Sequence, residues 1–256
     1  MTVDPKGGAL VVRDHTGRGL HQNLEGQRFK SVSRRGRMLI FSLQAESILL
    51  VINPKASARL QLCEPGASKP GPVRVTFHVQ EPSQELRYVD RRRMGQIYLV
   101  SEIAAIPEIH GLGPDALEIS REDFGRSLSQ FRGEIKSILT HGQLVTGIGN
   151  TYADEILWHA GIHPLTERPA LDKEQVVQIY ESMRWILQDA IAQLRSRIGE
   201  EIHLEGRDFM RVHLRQGLPC PRCGTGISVI RANKQITNFC RCCQPGGLIH
   251  GLERQG

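Results

Sequence analysis

Thiolates are the most conspicuous chemistry in this sequence. Five of the six cysteines fall between Cys220 and Cys243. Two Cys-x-x-Cys pairs, Cys220/Cys223 and Cys240/Cys243, stand sixteen residues apart. Four thiolates at about 2.3 Å fill the tetrahedral shell of Zn2+ and leave no position for water. The expected role is therefore one structural zinc, not hydrolysis. The gap has the length of a β-hairpin, which Val229, Ile230, Ile236 and Phe239 would stiffen. Two pairs at hairpin spacing fit a redox reading poorly. Cys242 competes with Cys243 for the fourth place, and the two-residue spacing favours Cys243. Cys63 is isolated and reads as a small hydrophobe. The zinc would hold Arg231, Asn233, Lys234 and Gln235 on a hairpin tip, a basic loop suited to nucleic acid.

A second cluster could hold phosphate. Gly147-Ile148-Gly149-Asn150 opens a helix. Glycines let a phosphate approach the backbone, and a helix start offers unpaired N–H groups with a favourable dipole. Asn150 either caps that helix or donates to the phosphate. Lys136 is a nearby cation. Two further basic runs, Arg34-Arg35-Gly36-Arg37 and Arg91-Arg92-Arg93, are able to track a nucleic-acid backbone, although charge runs are usually solvated faces.

The elements that must position these groups change character along the chain. The first third reads as β-rich. Met38–Leu43 and 48–52 are short apolar runs, 73–79 alternates with period two, and 86–89 and 97–100 are two more strands. Several short strands separated by Pro/Gly/Ser loops predict a sandwich or barrel. From Ser120 the period lengthens. Helices are expected over 121–131, 134–139, 151–160 and 172–198, the last capped by Asp172 with Gln175 and ended by Gly199. The tail, 247–256, is expected to be mobile. The 256 residues are 39% apolar and 23% charged, a globular composition. No apolar run approaches the ~20 residues that cross a bilayer. Residues 1–8 lack an apolar signal core, so a cytoplasmic location is expected. The net charge of +6 fits nucleic acid without proving it.

Together these motifs resemble the formamidopyrimidine-DNA glycosylase / endonuclease VIII family. Gly147 to Leu157, followed by Ala160-Gly161-Ile162-His163-Pro164, is similar to its helix–two-turns–helix segment. Residues 219–224 and 239–244 resemble its zinc finger. Arg34-Arg35-Gly36-Arg37 resembles its Arg-Arg-Gly-Lys, and Asp90-Arg91-Arg92-Arg93-Met94-Gly95 its Asp-Pro-Arg-Arg-Phe-Gly. Leu112-Gly113-Pro114 matches its interdomain stretch. The resemblance runs from about Leu24 to Gln244. It implies an α+β architecture with a β-sandwich domain over 1–112 and a helical domain over 113–215. A four-cysteine β-hairpin zinc finger over 216–246 and a tail over 247–256 would follow. It also implies DNA held between the first two domains.

The family's chemistry needs an N-terminal proline amine that attacks the sugar C1′, and an adjacent glutamate. The amine forms a Schiff base, which allows base excision and strand cleavage at one site. This chain starts Met1-Thr2-Val3-Asp4-Pro5, and the supporting amphipathic helix is missing. Pro5 is an imide within the chain and cannot attack. Replacement candidates are the Thr2 amine and Lys55, and a start upstream of the given one would restore the usual mechanism. Arg37 replaces the family's Lys, Gln235 its finger Arg, and Met94 its wedge Phe, while Arg93 matches its intercalating Arg. The 199–210 stretch lacks the long loop that covers 8-oxoguanine in some members.

The binding set implied by the resemblance is therefore Arg34, Arg35, Arg37, Arg92, Arg93, Met94, Lys136, Gly147, Gly149, Asn150, Lys234 and Gln235. The preferred expectation is a monomer that binds damaged or distorted duplex DNA with absent or reduced excision. The alternatives are an active glycosylase and abasic-site lyase, or an RNA-binding or interaction protein on the same scaffold.

Overall fold

A computed structural model describes residues 2–3, 11–44, 48–232 and 235–246. The chain divides into two compact units. The first comprises Met1–Gly111 with Arg195–Gly206, and the second Leu112–Leu194 with Arg207–Gly256.

The first unit is built from two sheets. One has the order β1-β7-β8-β6, formed by Thr2–Val3 (β1), Ala58–Cys63 (β6), Val73–Gln80 (β7) and Ser83–Asp90 (β8). The other has the order β2-β9-β5-β4-β3, formed by Val12–Asp14 (β2), Phe29–Arg35 (β3), Met38–Leu43 (β4), Leu49–Asn53 (β5) and Gln96–Val100 (β9). Phe41, Leu50, Ile52, Ile97 and Leu99 from one sheet share a core with Val75, Phe77, Leu86 and Tyr88 from the other, which makes the sandwich. Val51, Tyr98 and Val100 point the opposite way, into a smaller core with Ile103, Ile106 and Ile109. Covered on both faces, β5 has no use for polar alternation, so Leu-Leu-Val-Ile runs unbroken.

Strand β3 is the opposite case. Its sequence, Phe-Lys-Ser-Val-Ser-Arg-Arg, is exposed almost throughout and sits at the edge of its sheet. Charges at Lys30, Arg34 and Arg35 blunt that edge against pairing with other chains. A five-residue helix, α1 (Leu20–Leu24), lies between β2 and β3.

The second unit packs helices α2 (Arg121–Leu128), α3 (Ile135–Thr140), α4 (Asn150–Ala160) and α5 (Lys173–Ile198) around Phe124, Leu128, Ile135, Leu139, Ile156, Ile179 and Met183. The expected cap of α5 is present: Asp172 Oδ1 accepts the Gln175 N–H at 2.8 Å, and Gln175 Oε1 accepts the Asp172 N–H at 3.1 Å. Ser120 caps α2 by accepting from the Asp123 N–H. Strands β10 (Ser228–Ala232) and β11 (Gln235–Phe239) form an antiparallel hairpin. The hairpin lies within the second unit. A hairpin this short cannot bury a core alone; its Ile227 and Cys240 pack with Trp158, Val212 and Cys220. Residues 195–206 group with the first unit, where Glu205 forms an ion pair with Arg59. Among the described residues no helix is long and apolar enough to cross a membrane.

Candidate nucleic-acid interface

The sulfurs of Cys220, Cys223, Cys240 and Cys243 all lie within 4.8 Å of one another. Cys220 and Cys243 are 3.9 Å apart, Cys223 and Cys240 3.4 Å. A tetrahedron with ligands at about 2.3 Å has edges of about 3.8 Å, so the four thiols fit one zinc. Cys242 is exposed and outside the cluster, as the two-residue spacing requires. Groups around the cluster orient the sulfurs. The Trp158 indole N–H donates to Cys220 Sγ at 3.4 Å, and the backbone N–H groups of Arg222 and Cys243 donate to Cys220 and Cys240. Such outer contacts set thiolate direction and basicity.

Gln244 fastens this centre to the end of α4. Its Oε1 accepts the Cys240 N–H at 2.9 Å, and its Nε2 donates to the Ile162 carbonyl at 2.8 Å. Arg222 donates to the carbonyls of Trp158 and His159 and lies over the Trp158 ring.

The start of α4 meets the same hairpin. Gly147 has φ of 99°, which a side chain would resist. Gly149 takes the N-cap position, so Asn150 is the first helical residue and does not cap. Its amide instead donates to the Ile236 carbonyl at 2.7 Å. Lys136 reaches the same carbonyl at 3.0 Å and the Thr237 hydroxyl at 2.6 Å. Its ammonium is also 2.6 Å from the Asp154 carboxylate. The structure thus brings Lys136, the Gly-Ile-Gly-Asn turn and β11 together.

Lys136, a phosphate candidate in the sequence, is buried here, donates to the Ile236 carbonyl and the Thr237 hydroxyl, and is ion-paired with Asp154. Burial lowers its pKa, and Asp154 opposes that shift. Its partner Asp154 also accepts from His213 Nδ1 at 2.8 Å and the Asn238 N–H at 3.0 Å. Next to it, Glu155 collects the backbone N–H groups of Arg211, Val212 and His213. These two buried acids on α4 align the chain that enters the zinc centre. Sequence reasoning missed their role, because acids on a helix usually face water.

The remaining second-unit candidates lie at the hairpin. Gln235 is exposed at the start of β11. Lys234 and Asn233 lie outside the described residues, and Arg231 donates to Gln216.

In the first unit, Arg34 and Arg35 end β3, and exposed Arg37 follows Gly36 in the turn to β4. Arg34 donates to the Gly36 carbonyl at 2.7 Å. Arg91, Arg92, Arg93 and Met94 are all exposed between β8 and β9, flanked by buried Asp90 and Gly95. Met94 is 44% exposed, available as an apolar wedge.

The two nucleophile candidates differ in what the fold does to them. Thr2 has its backbone in the β1–β7 ladder, opposite Thr76. Lys55 is ion-paired with Glu108 at 3.4 Å. Burial pushes the Glu108 carboxyl upward, but bonds from the Tyr98 hydroxyl, its own backbone and Lys55 outweigh it and hold it below the usual glutamate value.

The chain is similar to known proteins. A profile described as the formamidopyrimidine-DNA glycosylase N-terminal domain matches residues 7–97, and one for the H2TH domain of the same glycosylase matches residues 111–200. The formamidopyrimidine-DNA glycosylase of Chloroflexus aurantiacus is 32% identical over 228 residues, 86% of this chain and 81% of the relative. That of Symbiobacterium thermophilum is 34% identical over 232 residues, 87% and 75% of the two chains. Among solved structures, a complex between the Lactococcus lactis Fpg and an abasic site containing DNA is similar with a TM-score of 0.78 at 27% identity, covering 89% of this chain and 87% of that one.

Proposed function

The chain belongs to the formamidopyrimidine-DNA glycosylase family, and from that premise we propose that it binds damaged or distorted duplex DNA with absent or reduced base excision. The observation that carries the binding reading is the Arg91–Met94 turn, three cations and a flexible apolar side chain exposed in a row. Cations neutralise phosphates, and an apolar wedge fills the stack where a base is missing or flipped. The similarity to the Lactococcus lactis Fpg, whose complex holds an abasic site containing DNA, supports the same class of partner.

Reduced excision rests on two residues. Arg37 stands where the family has Lys, and a guanidinium is a poor proton donor. Lys55 is tied to an ionised Glu108. The second reading, an excising glycosylase, is favoured by the relatives at 32–34% identity that bear that name.

Borohydride trapping on an abasic-site duplex, with a gel-shift lane from the same sample, separates the two. A shift without a covalent band is the expected result. A covalent band means that an amine nucleophile operates, and mapping the adduct tests Thr2 against Lys55. Absence of both bands, with a shift on structured RNA, would replace DNA by RNA as the partner.

A further inference from the structure

The Arg91–Met94 turn is held in an unusual way. Arg93 has φ of 54°, the left-handed region that L side chains resist. On one side of it the Arg92 N–H donates to Asp90 Oδ1 at 3.1 Å, and on the other the Gly95 N–H donates to Asp90 Oδ2 at 2.9 Å. One buried carboxylate therefore brackets Arg93 and Met94 from both ends. A Cβ on Gly95 would overlap the Tyr88 hydroxyl and press on Ala58 and the Asn53 carbonyl, so the turn has little freedom to slide.

The same carboxylate reaches a second turn. Asp90 Oδ1 accepts from the Ser57 hydroxyl at 2.5 Å, and Oδ2 from the Tyr88 hydroxyl at 3.4 Å. Ser57 closes the 53–57 turn, where Lys55 is also left-handed with φ of 46°. Among the described residues three non-glycine residues have positive φ, and two of them sit in these joined turns. A turn needed only to reverse the chain would place Gly or Asn at the left-handed position. Strain kept at cationic residues is a mark of side chains held for use.

We propose that Asp90 is a positioning residue. Its carboxylate fixes the turn so that Arg93 and Met94 enter the base stack, and through Ser57 it registers the Lys55 turn beside them. This rests on the DNA-binding reading above.

The test uses the zinc-loaded full chain and an abasic duplex carrying 2-aminopurine opposite the lesion. The unsubstituted protein should raise the 2-aminopurine emission, and Arg93→Ala with Met94→Ala should abolish the rise. Asp90→Asn keeps the shape but offers one carbonyl acceptor. It should cut the rise and weaken binding by about fivefold, and weaken it no further in the Arg93→Ala/Met94→Ala background, because contacts acting through one another are non-additive. Ser57→Ala should show a smaller effect of the same pattern, and it carries the test if Asp90→Asn does not fold. An unchanged rise in the folded position-90 variant, or a loss of binding that adds fully in the double-alanine background, overturns the proposal and leaves DNA insertion standing. No rise with the unsubstituted protein, or a rise that survives loss of Arg93 and Met94, overturns the insertion reading and this proposal with it.

Discussion

The buried Lys136 ammonium donates to Thr237 and the Ile236 carbonyl and pairs with Asp154, whereas Arg92 and Arg93 stand exposed on a turn. The two kinds of cation should answer mutation differently. Lys136→Met leaves Asp154 buried without its countercharge and should lower the unfolding free energy by about 3 kcal/mol, with the salt dependence of DNA binding unchanged. Arg92→Ala should leave the urea midpoint in place and reduce the slope of log K against log salt by about 0.9. Urea melts and salt titrations of the two variants check this; a lost slope in Lys136→Met would return that lysine to the phosphate.

His163 offers a test by pH. It is buried, its neutral Nδ1 accepts the Leu165 N–H at 3.2 Å, and burial holds its pKa below the ordinary imidazole value. Protons therefore bind the unfolded chain more readily than the folded one. The stabilisation is present above about pH 6.5 and is lost as pH falls through the depressed folded value. Melting temperature should drop between pH 7.5 and 5.5, and His163→Asn, which keeps an acceptor without the titration, should flatten that drop.

At the scale of elements, the zinc hairpin and α4 stabilise each other through Trp158, Gln244, Lys136 and Asn150. Chelation should lower the melting temperature by at least about 10 °C, since structural zinc contributes folding energy outright and each kcal/mol moves it by roughly 2–4 °C at this size. Emission from Trp158 should change in the same titration. An unchanged melt on metal removal would mean that the hairpin stands without zinc. Asp172→Ala, which removes half of the α5 capping box, should cost about 1 kcal/mol.

Legibility in the sequence followed the strength of local patterns. The cysteine spacing, the period of α5 with its Asp172–Gln175 cap, and the apolar strands β4, β5 and β9 could all be read directly. Strand β3 could not, because an exposed edge strand carries no apolar alternation; β6 was hidden by its mixed sequence, Ala-Arg-Leu-Gln-Leu-Cys. The polar network was also hidden. Lys136, Asp154 and His213 are far apart in sequence and meet only when α3, α4 and the chain entering the hairpin have packed. Asn150 read as a cap or phosphate donor because the position of Ile236 was not knowable from spacing. Asp90 stands within a legible motif, yet the four donors it gathers come from Ser57, Tyr88, Arg92 and Gly95, a set that only the folded sandwich assembles.

For the whole molecule, family membership and the exposed cations make binding to damaged duplex DNA the central claim. Electrostatic association with a polyanion weakens steeply with salt, while recognition of a lesion appears as a difference between two duplexes at one salt. The most direct measurement is fluorescence anisotropy of the zinc-loaded full chain with an abasic-site duplex and its intact counterpart, across a salt series. Salt-sensitive binding to both is expected, with the abasic duplex held at least about tenfold more tightly. Equal affinity for the two duplexes, or no salt-sensitive binding to either, would contradict it.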